Sequence, residues 1–219
     1  MVPTPLGRSA PSSIPTAHGL ILAAGRGTRF GGAKLLVSLR GKPLVQYVID
    51  AVAEATAAGV LDGATAVVAA DDDVLRDLFR DHAIEVVEND APASGLAHSL
   101  QLGLNALAQR DRAPGPEAAL VLLGDQPGVR AATIGTLVRE WRRGYALVVR
   151  PRYADDPEEP GHPVLLDRSC WTLAEEVEGD VGIGALLRAR PALVTVVDVP
   201  GANPGIETPD DLAAFEETG

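Results

Sequence analysis

Short apolar segments alternate with amphipathic segments along almost the whole chain. The apolar segments, which are the predicted strands, cover residues 19–23, 64–70, 84–87, 118–123, 146–150 and 193–197. The amphipathic segments predict helices over residues 43–58, 72–82, 95–109, 131–143, 169–177 and 181–189, with a last helix from Pro209. This alternation is typical of a mostly parallel sheet with helices on both faces. The sequence therefore predicts an α/β fold of three layers, α/β/α.

The first residues differ in composition from the rest. Residues 1–17 contain four prolines and three serines and lack the apolar stretch of a signal peptide. We predict a flexible N-terminal leader over 1–17 and a single domain over 18–219. Since no apolar run approaches the roughly 20 residues that a bilayer requires, we expect a cytoplasmic protein without a membrane partner.

Charge and metal-binding residue types exclude several classes of function. The chain has 30 acidic and 19 basic residues and a net charge of −11, which disfavours nucleic acid as a partner. Its single cysteine, Cys170, excludes an internal disulfide, and its four histidines lack zinc-binding spacing. Any phosphate compound that it binds must therefore be small and held in a locally basic pocket.

A loop that follows the first predicted strand has the residues for such a pocket. Its four glycines leave backbone N–H groups open to an anion; they are Gly25, Gly27, Gly31 and Gly32. Arg29 and Lys34 add positive charge. The composition of the loop therefore predicts a polyphosphate ligand.

The spacing in this loop differs from the two common phosphate-binding motifs. A Walker loop requires Gly-Lys-Ser/Thr, but Gly32 is followed by Ala33, and Lys34 by Leu35. A dinucleotide fingerprint requires a third glycine where this chain has Phe30. Both motifs are therefore excluded.

The loop, read as LAAGxGxRxGxxK over residues 22–34, resembles that of the MobA-like nucleotidyltransferases, the molybdenum cofactor cytidylyltransferases among them. Five further segments resemble the family in order: GLAHSLQLGL (95–104), LLGDQP (122–127), GHPVLL (161–166), GDVGIGALL (179–187) and GIETPDDL (205–212). The resemblance covers roughly residues 18–217. It implies a Rossmann-like three-layer α/β/α sandwich with a mostly parallel sheet, of the nucleotide-diphospho-sugar transferase type.

The resemblance also implies roles for individual residues. The nucleotide-binding candidates are Leu22, Ala23, Ala24, Gly25, Gly27, Arg29, Lys34, Ser94, Gly95 and Ser99. Arg29, Lys34 and Asp125 are the catalytic candidates, with Arg29 and Lys34 on the triphosphate. Asp125 and Glu207 are the candidate ligands of Mg²⁺, which prefers hard oxygen donors. His162 and Asp180 are candidates for the acceptor side, although a structural hydrogen bond is an equally good interpretation of His162.

Two positions depart from the family pattern. Gly205 and Glu207 stand where relatives have two aspartates, so the geometry of the metal site differs by at least one methylene. Gly184 stands where many relatives have an arginine. If that arginine holds the acceptor phosphate, this protein has lost a contact or takes a different acceptor.

The resemblance implies transfer of CMP from CTP to a small anionic acceptor, molybdopterin or the molybdenum cofactor, with release of pyrophosphate. A molybdoenzyme or its chaperone is then the expected protein partner. The Ala24 methyl group favours a pyrimidine over guanine by about 1–3 kcal/mol at most. The alternatives are guanylyl or other nucleotidyl transfer, a nicotinamide-dependent oxidoreductase, and a nucleotide-binding protein without chemistry.

Two acidic segments are better explained as helix starts than as ligand sites. Residues 71–73 are three aspartates in front of a predicted helix, which is the composition of an N-cap. Thr208, Pro209 and Asp211 have the spacing of a capping box.

Overall fold

The computed structural model describes residues 14–27, 30–110, 115–144 and 146–217. The strands are β1 (Ala17–Ala23), β2 (Ser38–Leu39), β3 (Lys42–Pro43), β4 (Ala64–Ala69), β5 (Glu85–Asn89), β6 (Ala118–Leu123), β7 (Val148–Tyr153), β8 (Val164–Asp167) and β9 (Val194–Val199). Most of the predicted leader, and Arg29, lie outside the described residues.

Seven strands form one sheet in the order β5-β4-β1-β6-β8-β7-β9, and β2 and β3 form a small hairpin. β1 is parallel to β4 and to β6, β4 is parallel to β5, and β7 is parallel to β9. β8 is antiparallel to both of its neighbours, with Val164 opposite Val121 and Leu165 opposite Val149. The predicted mostly parallel sheet is confirmed. β8 is an addition to the six strands that the alternation predicted.

Helices cover both faces of the sheet. They are α1 (Gln46–Ala57), α2 (Asp73–Asp81), α3 (Leu96–Ala108), α4 (Ala131–Arg142), α5 (Ile183–Arg188) and α6 (Pro209–Glu217). The helix predicted over 169–177 is wrong in type, because residues Arg168–Glu176 form 3-10 turns. At the end of this segment, Nε2 of Gln101 donates hydrogen bonds to the carbonyls of Ala174 and Val177. Among the described residues, no helix has the length and apolar character needed to cross a membrane.

The two faces of β1 belong to two different apolar cores. Ile21 and Ala23 pack with α1, α2 and α4, whereas Leu20 and Leu22 pack with α3, α5 and the 3-10 turns. Every residue of β1 is buried. Because both faces are covered, ligand access is restricted to the edges of the sheet.

A third, smaller core positions the C-terminal segment. Leu39 and Leu44 of the β2–β3 region and Ile206 are fully buried together, and Phe215 of α6 packs against them. This contact brings the loop before α6 next to the segment that begins with Lys34.

Candidate active site

The loop after β1 folds back on itself at Gly27. The carbonyl of Gly27 accepts hydrogen bonds from the N–H groups of Phe30 (2.9 Å) and Gly32 (3.2 Å). Gly27 has a φ of +59°, and a Cβ there would lie 2.6 Å from the Gly32 oxygen and 2.8 Å from the Lys34 Cβ. Both the conformation and the lack of space require glycine. The turn returns the chain to the sheet at Lys34.

Lys34 lies at the centre of the charged groups of the site. Its side chain is 9% exposed, and its Nζ donates a hydrogen bond of 2.7 Å to Oδ2 of Asp125. The same Nζ lies 3.8 Å from Oε2 of Glu207. A lysine this buried requires carboxylate partners to stay charged. Three predicted site residues from distant parts of the sequence therefore form one charged cluster.

Asp125 follows β6 and links it to the loop before α6. Its backbone carbonyl accepts a hydrogen bond of 3.0 Å from the N–H of Ile206. Its side-chain Oδ1 is buried and has no hydrogen-bond partner among the described residues. Because an unsatisfied buried carboxylate oxygen is destabilising, this atom marks a position that a ligand would complete.

The oxygen atoms at this position fit a magnesium ion. Mg²⁺ is commonly bound by one or two carboxylates, and phosphate oxygens and waters complete its shell. Asp125 offers an unpartnered oxygen, and Glu207 approaches the same ammonium group. The part of the chain that the structure describes holds no group of three or more metal-binding side chains. A cation here would therefore depend on oxygens of the substrate.

The start of α6 fixes the backbone of Glu207. Oδ2 of Asp211 accepts hydrogen bonds from the N–H groups of Glu207 (2.9 Å) and Thr208 (2.8 Å), and the Asp211 N–H donates to Oγ1 of Thr208 at 3.2 Å. The predicted capping box is confirmed. The hydrogen bond with the Thr208 side chain, followed by the two backbone bonds, lowers the pKa of Asp211.

A pocket of about 580 Å³ opens beside this cluster. Eleven predicted site residues line it: Leu22, Ala23, Ala24, Gly25, Gly27, Lys34, Gly95, Ser99, Asp125, Asp180 and Glu207. Ser94 and His162 are not among its lining residues, and Arg29 lies outside the described residues. The structure thus brings most of the predicted residues together, while their individual roles remain predictions.

The part of the pocket wall beside α3 depends on a close contact between two backbone segments. Gly95 precedes α3 with a φ of +92°, and a Cβ there would lie 2.2 Å from the carbonyl carbon of Gly179. The N–H of Ala97 donates to the Gly179 oxygen at 3.0 Å. Any side chain at Gly95 would push this loop away, and with it Asp180. Gly95 therefore shapes the pocket as well as lining it.

Ser99 is held by a partner that the sequence did not indicate. Its side chain is buried on α3, and its Oγ accepts a hydrogen bond of 3.0 Å from Nδ2 of Asn89. Asn89 ends β5 and is fully buried. The hydroxyl proton of Ser99 is still available as a donor, so a ligand could use it.

His162 lies away from the pocket lining but close to charged groups. Burial, and then the charge of Arg150, lower its pKa to about 4, against smaller opposite effects of the Val121 carbonyl and Asp125. Its Nδ1 is buried without a hydrogen-bond partner among the residues described. Its carbonyl accepts hydrogen bonds from Tyr153 Oη (2.9 Å) and Asn203 Nδ2 (3.2 Å). The ring is therefore neutral at pH 7.

A second cleft, of about 760 Å³, adjoins the pocket across the glycine loop. Residues 71–75 line its far side, and Arg26 forms an ion pair of 3.1 Å with Asp71. Asp72 accepts a hydrogen bond of 3.0 Å from the N–H of Leu75, which confirms the predicted N-cap of α2. The sequence did not indicate the Arg26–Asp71 pair, because 45 residues separate the partners.

The comparison with protein families identifies the chain. The MobA-like NTP transferase domain matches residues 19–196, which is most of its length. The chain belongs to the MobA-like NTP transferase family. The predicted family is confirmed, and the glycine loop, Asp125 and Asp180 all lie within the matched range.

Two relatives of this MobA-like protein carry different kinds of name. It is 31% identical over 191 residues to nicotine blue oxidoreductase of Paenarthrobacter nicotinovorans, over 85% of this chain and 89% of that protein. It is 26% identical over 175 residues to a Pyrococcus horikoshii protein named "Probable molybdenum cofactor guanylyltransferase", over 78% of this chain and 81% of that protein.

A solved structure confirms the predicted fold of this MobA-like chain. Rv0371c from Mycobacterium tuberculosis H37Rv, in a complex with manganese, superimposes with a TM-score of 0.74 at 24% sequence identity. The superposition covers 93% of this chain and 100% of that one. The α/β sandwich of the nucleotide-diphospho-sugar transferase type is thus shared.

Proposed function

We propose that the protein is a Mg²⁺-dependent nucleotidyltransferase that transfers CMP from CTP to the phosphate of molybdopterin or the molybdenum cofactor, releasing pyrophosphate. One observation carries this proposal: the Lys34 ammonium lies 2.7 Å from Asp125 and 3.8 Å from Glu207, in a pocket walled by the glycine loop. A cation, two carboxylates and exposed backbone N–H groups are what a triphosphate with a metal ion requires.

The triphosphate would bind along the glycine loop. The N–H groups of this loop would donate to its oxygens, and Lys34 would neutralise part of its charge. Arg29 is proposed for the same role on the family resemblance. Because Lys34 already contacts Oδ2 of Asp125, it would hold that carboxylate in one orientation while Oδ1 stays open.

The reaction requires that a phosphate oxygen of the acceptor attack the α-phosphorus of CTP. The bond between this phosphorus and the oxygen bridging to the β-phosphate then breaks, and pyrophosphate leaves. Asp125 and Glu207 would hold Mg²⁺, which when bound supplies positive charge to the phosphate oxygens. A phosphate monoester is largely deprotonated at pH 7, with a second pKa of about 6, so the chain does not have to supply a strong base.

The remaining site residues would set specificity. We assign Ser94, Gly95 and Ser99 to the base or ribose, and Asp180 and His162 to the acceptor side. The methyl group of Ala24, whose side chain is 4% exposed, lies where the loop leaves β1 and narrows the space for a base. This supports CTP over GTP, although three relatives are named for guanylyl transfer.

A second candidate function is oxidoreduction with a nicotinamide cofactor. The observation in its favour is the 31% identity with nicotine blue oxidoreductase over 85% of this chain. In this case the glycine loop would bind the pyrophosphate of the cofactor, and hydride transfer would need neither pyrophosphate release nor the Asp125 carboxylate.

The deciding experiment measures pyrophosphate release from each nucleoside triphosphate with Mg²⁺ and molybdopterin. We expect release with CTP that depends on the acceptor and is lost in Asp125→Ala. Asp77→Ala, which removes an exposed carboxylate on α2, is the matched control. NADPH oxidation without pyrophosphate release would instead establish the second candidate. Thermal stabilisation by nucleotide without turnover would indicate a binding protein.

A further inference from the structure

Arg150 is a buried charged residue in an otherwise apolar strand. Val148 and Val149 precede it in β7 with no exposed surface, and the side chain of Arg150 is itself only 5% exposed. An arginine in such a position is normally paired with a carboxylate. Among the described residues, no carboxylate lies within ion-pair distance of Arg150.

The contacts of Arg150 are with backbone carbonyls. Its Nε donates a hydrogen bond of 3.3 Å to the carbonyl of Gly161, and its Nη2 donates to the carbonyl of Pro160. These bonds use two of the five N–H donors of the guanidinium. They fix the orientation of the group without neutralising its charge.

The surroundings of Arg150 carry an excess of positive charge. The nearest charged groups that affect it are Arg188 and Glu159, which pair with each other at 2.9 Å. Burial, followed by the charge of Arg188, lowers the pKa of Arg150, but a guanidinium remains protonated in proteins. A protein with a net charge of −11 thus has a locally cationic position with one carboxylate for two guanidinium groups.

This cationic position adjoins the candidate active site. Arg150 donates to the carbonyl of Gly161, the residue before His162. Nδ2 of Asn203 in turn donates to the carbonyl of His162 (3.2 Å) and to Oε1 of Gln126 (3.4 Å), the residue after Asp125. On the other side, a Cβ at Gly184 would lie 3.4 Å from Nη2 of Arg150. Gly184 lies four residues after Asp180, which lines the nucleotide pocket.

We propose that Arg150 binds the phosphate group of the acceptor. The proposal rests on the proposed nucleotidyl transfer, for which it names a subsite. The guanidinium would bind two oxygens of a phosphomonoester. A doubly charged phosphate would neutralise the excess charge. A neutral acceptor would leave that charge buried and unpaired, so the subsite selects phosphorylated acceptors.

Calorimetry with inorganic phosphate as the probe tests this subsite. The full chain is first saturated with Mg²⁺ and α,β-methylene-CTP, so that the triphosphate positions are filled, and phosphate is then titrated. We expect at least tenfold weaker phosphate binding by Arg150→Met. Arg152→Met should bind like the original protein, because Arg152 is exposed on the same strand and pairs with Asp198 at 2.7 Å.

A second pair of variants leaves Arg150 in place and changes only the charge beside it. Gly184→Asp and Gly184→Asn add side chains of the same size next to the guanidinium, and the aspartate alone would neutralise it. We expect at least tenfold weaker phosphate binding by Gly184→Asp than by Gly184→Asn. Equal affinities of this pair would overturn the proposal, as would phosphate binding by Arg150→Met equal to that of the original protein.

The order of titrations separates failure of this proposal from failure of the proposed function. If α,β-methylene-CTP does not bind, the nucleotide proposal is wrong, and phosphate is titrated without it to compare the Gly184 variants. If the analogue binds but the original protein takes up no phosphate at millimolar concentration, the assignment of Arg150 is wrong and the nucleotide site stands.

Discussion

Buried polar groups differ in their hydrogen bonding between the two edges of the central sheet, where the strands begin and where they end. At the amino-terminal edge, His18 Nδ1 lies 2.7 Å from Oδ1 of Asp62, and its Nε2 lies 3.1 Å from Oγ1 of Thr65. Arg110 approaches the same ring at 2.9 Å and forms an ion pair with Glu85. The polar groups at this edge satisfy one another within the protein.

At the carboxyl-terminal edge, by contrast, polar groups are buried and left incomplete. Oδ1 of Asp125, Nδ1 of His162 and Oδ1 of Asn203 have no hydrogen-bond partner among the described residues. Unsatisfied buried atoms lower the stability of the native state. The difference teaches that the first edge serves the fold, while the second carries groups that a ligand or an ordered water would complete.

The largest expected effect is on activity, at the carboxyl-terminal edge. Asp125→Asn keeps the size of the side chain but removes the charge that would hold a cation, so we expect pyrophosphate release to fall about 10³-fold. The melting temperature should also fall, because the buried Lys34 ammonium loses its 2.7 Å carboxylate partner. Asp62→Asn, at the other edge, should lower the melting temperature while leaving pyrophosphate release within about twofold. An active Asp125→Asn protein would contradict the comparison.

The next effect is on stability, at the amino-terminal edge. His18→Leu leaves the side chains of Asp62 and Thr65 without their shared partner, which should lower the free energy of unfolding by about 3 kcal/mol. Urea denaturation measures this loss, and kcat/KM should stay within about twofold. His98→Leu, at a half-buried position on α3, is the control and should change stability by less than about 0.5 kcal/mol. A similar loss of unfolding free energy in both variants would show that the hydrogen bonds of His18 have no special role in stability.

A third effect is the pH dependence of stability that His162 causes. Its pKa is lowered to about 4 in the native state, against 6.5 ordinarily, so between these values the unfolded chain binds a proton that the native chain does not. Stability should therefore fall by about 2 kcal/mol as the pH falls from 7 to 4.5. Denaturation of the original protein and of His162→Asn across this range isolates the effect. Parallel curves would show that the ring is not held neutral.

The smallest effect concerns the choice of base. Ala24→Gly removes a methyl group from the lining of the pocket, which should raise kcat/KM for GTP relative to CTP by about tenfold. The ratio of the two values, measured at equal Mg²⁺, checks this expectation. Ala93→Gly, which removes a methyl group elsewhere in the lining of the same pocket, serves as the control and should leave the ratio unchanged.

The sequence predicts the framework well, because strands and helices differ in the period of their apolar residues. The alternation misses β8, since Val164–Asp167 is a short, wholly buried strand without alternation and without a helix of its own, and only the resemblance of GHPVLL (161–166) to a family strand indicates it. The predicted helix over 169–177 is wrong in type, and a distant residue is involved. The carbonyls of Ala174 and Val177 accept hydrogen bonds from Gln101, which lies 73 and 76 residues away in the sequence.

The sequence predicts the main charged residues of the candidate site but not all of the residues around it. Lys34, Asp125 and Glu207 belong to recognisable motifs, and the structure brings them into one cluster. Arg150 belongs to none of the quoted motifs. The one signal for it in the sequence was a charge inside the apolar run ALVVRP, and its neighbours in space, such as Gly184, could not be predicted from sequence distance.

The reversed direction of β8 has a consequence for how such a protein can change. Because β8 lies between β6 and β7 and runs against both, the connection over residues 154–163 crosses directly at the edge that carries Asp125. Its length and composition can vary without moving any strand. On the proposed function, this connection would bear on the choice of acceptor, while the nucleotide pocket beside β1 and β6 keeps its own residues.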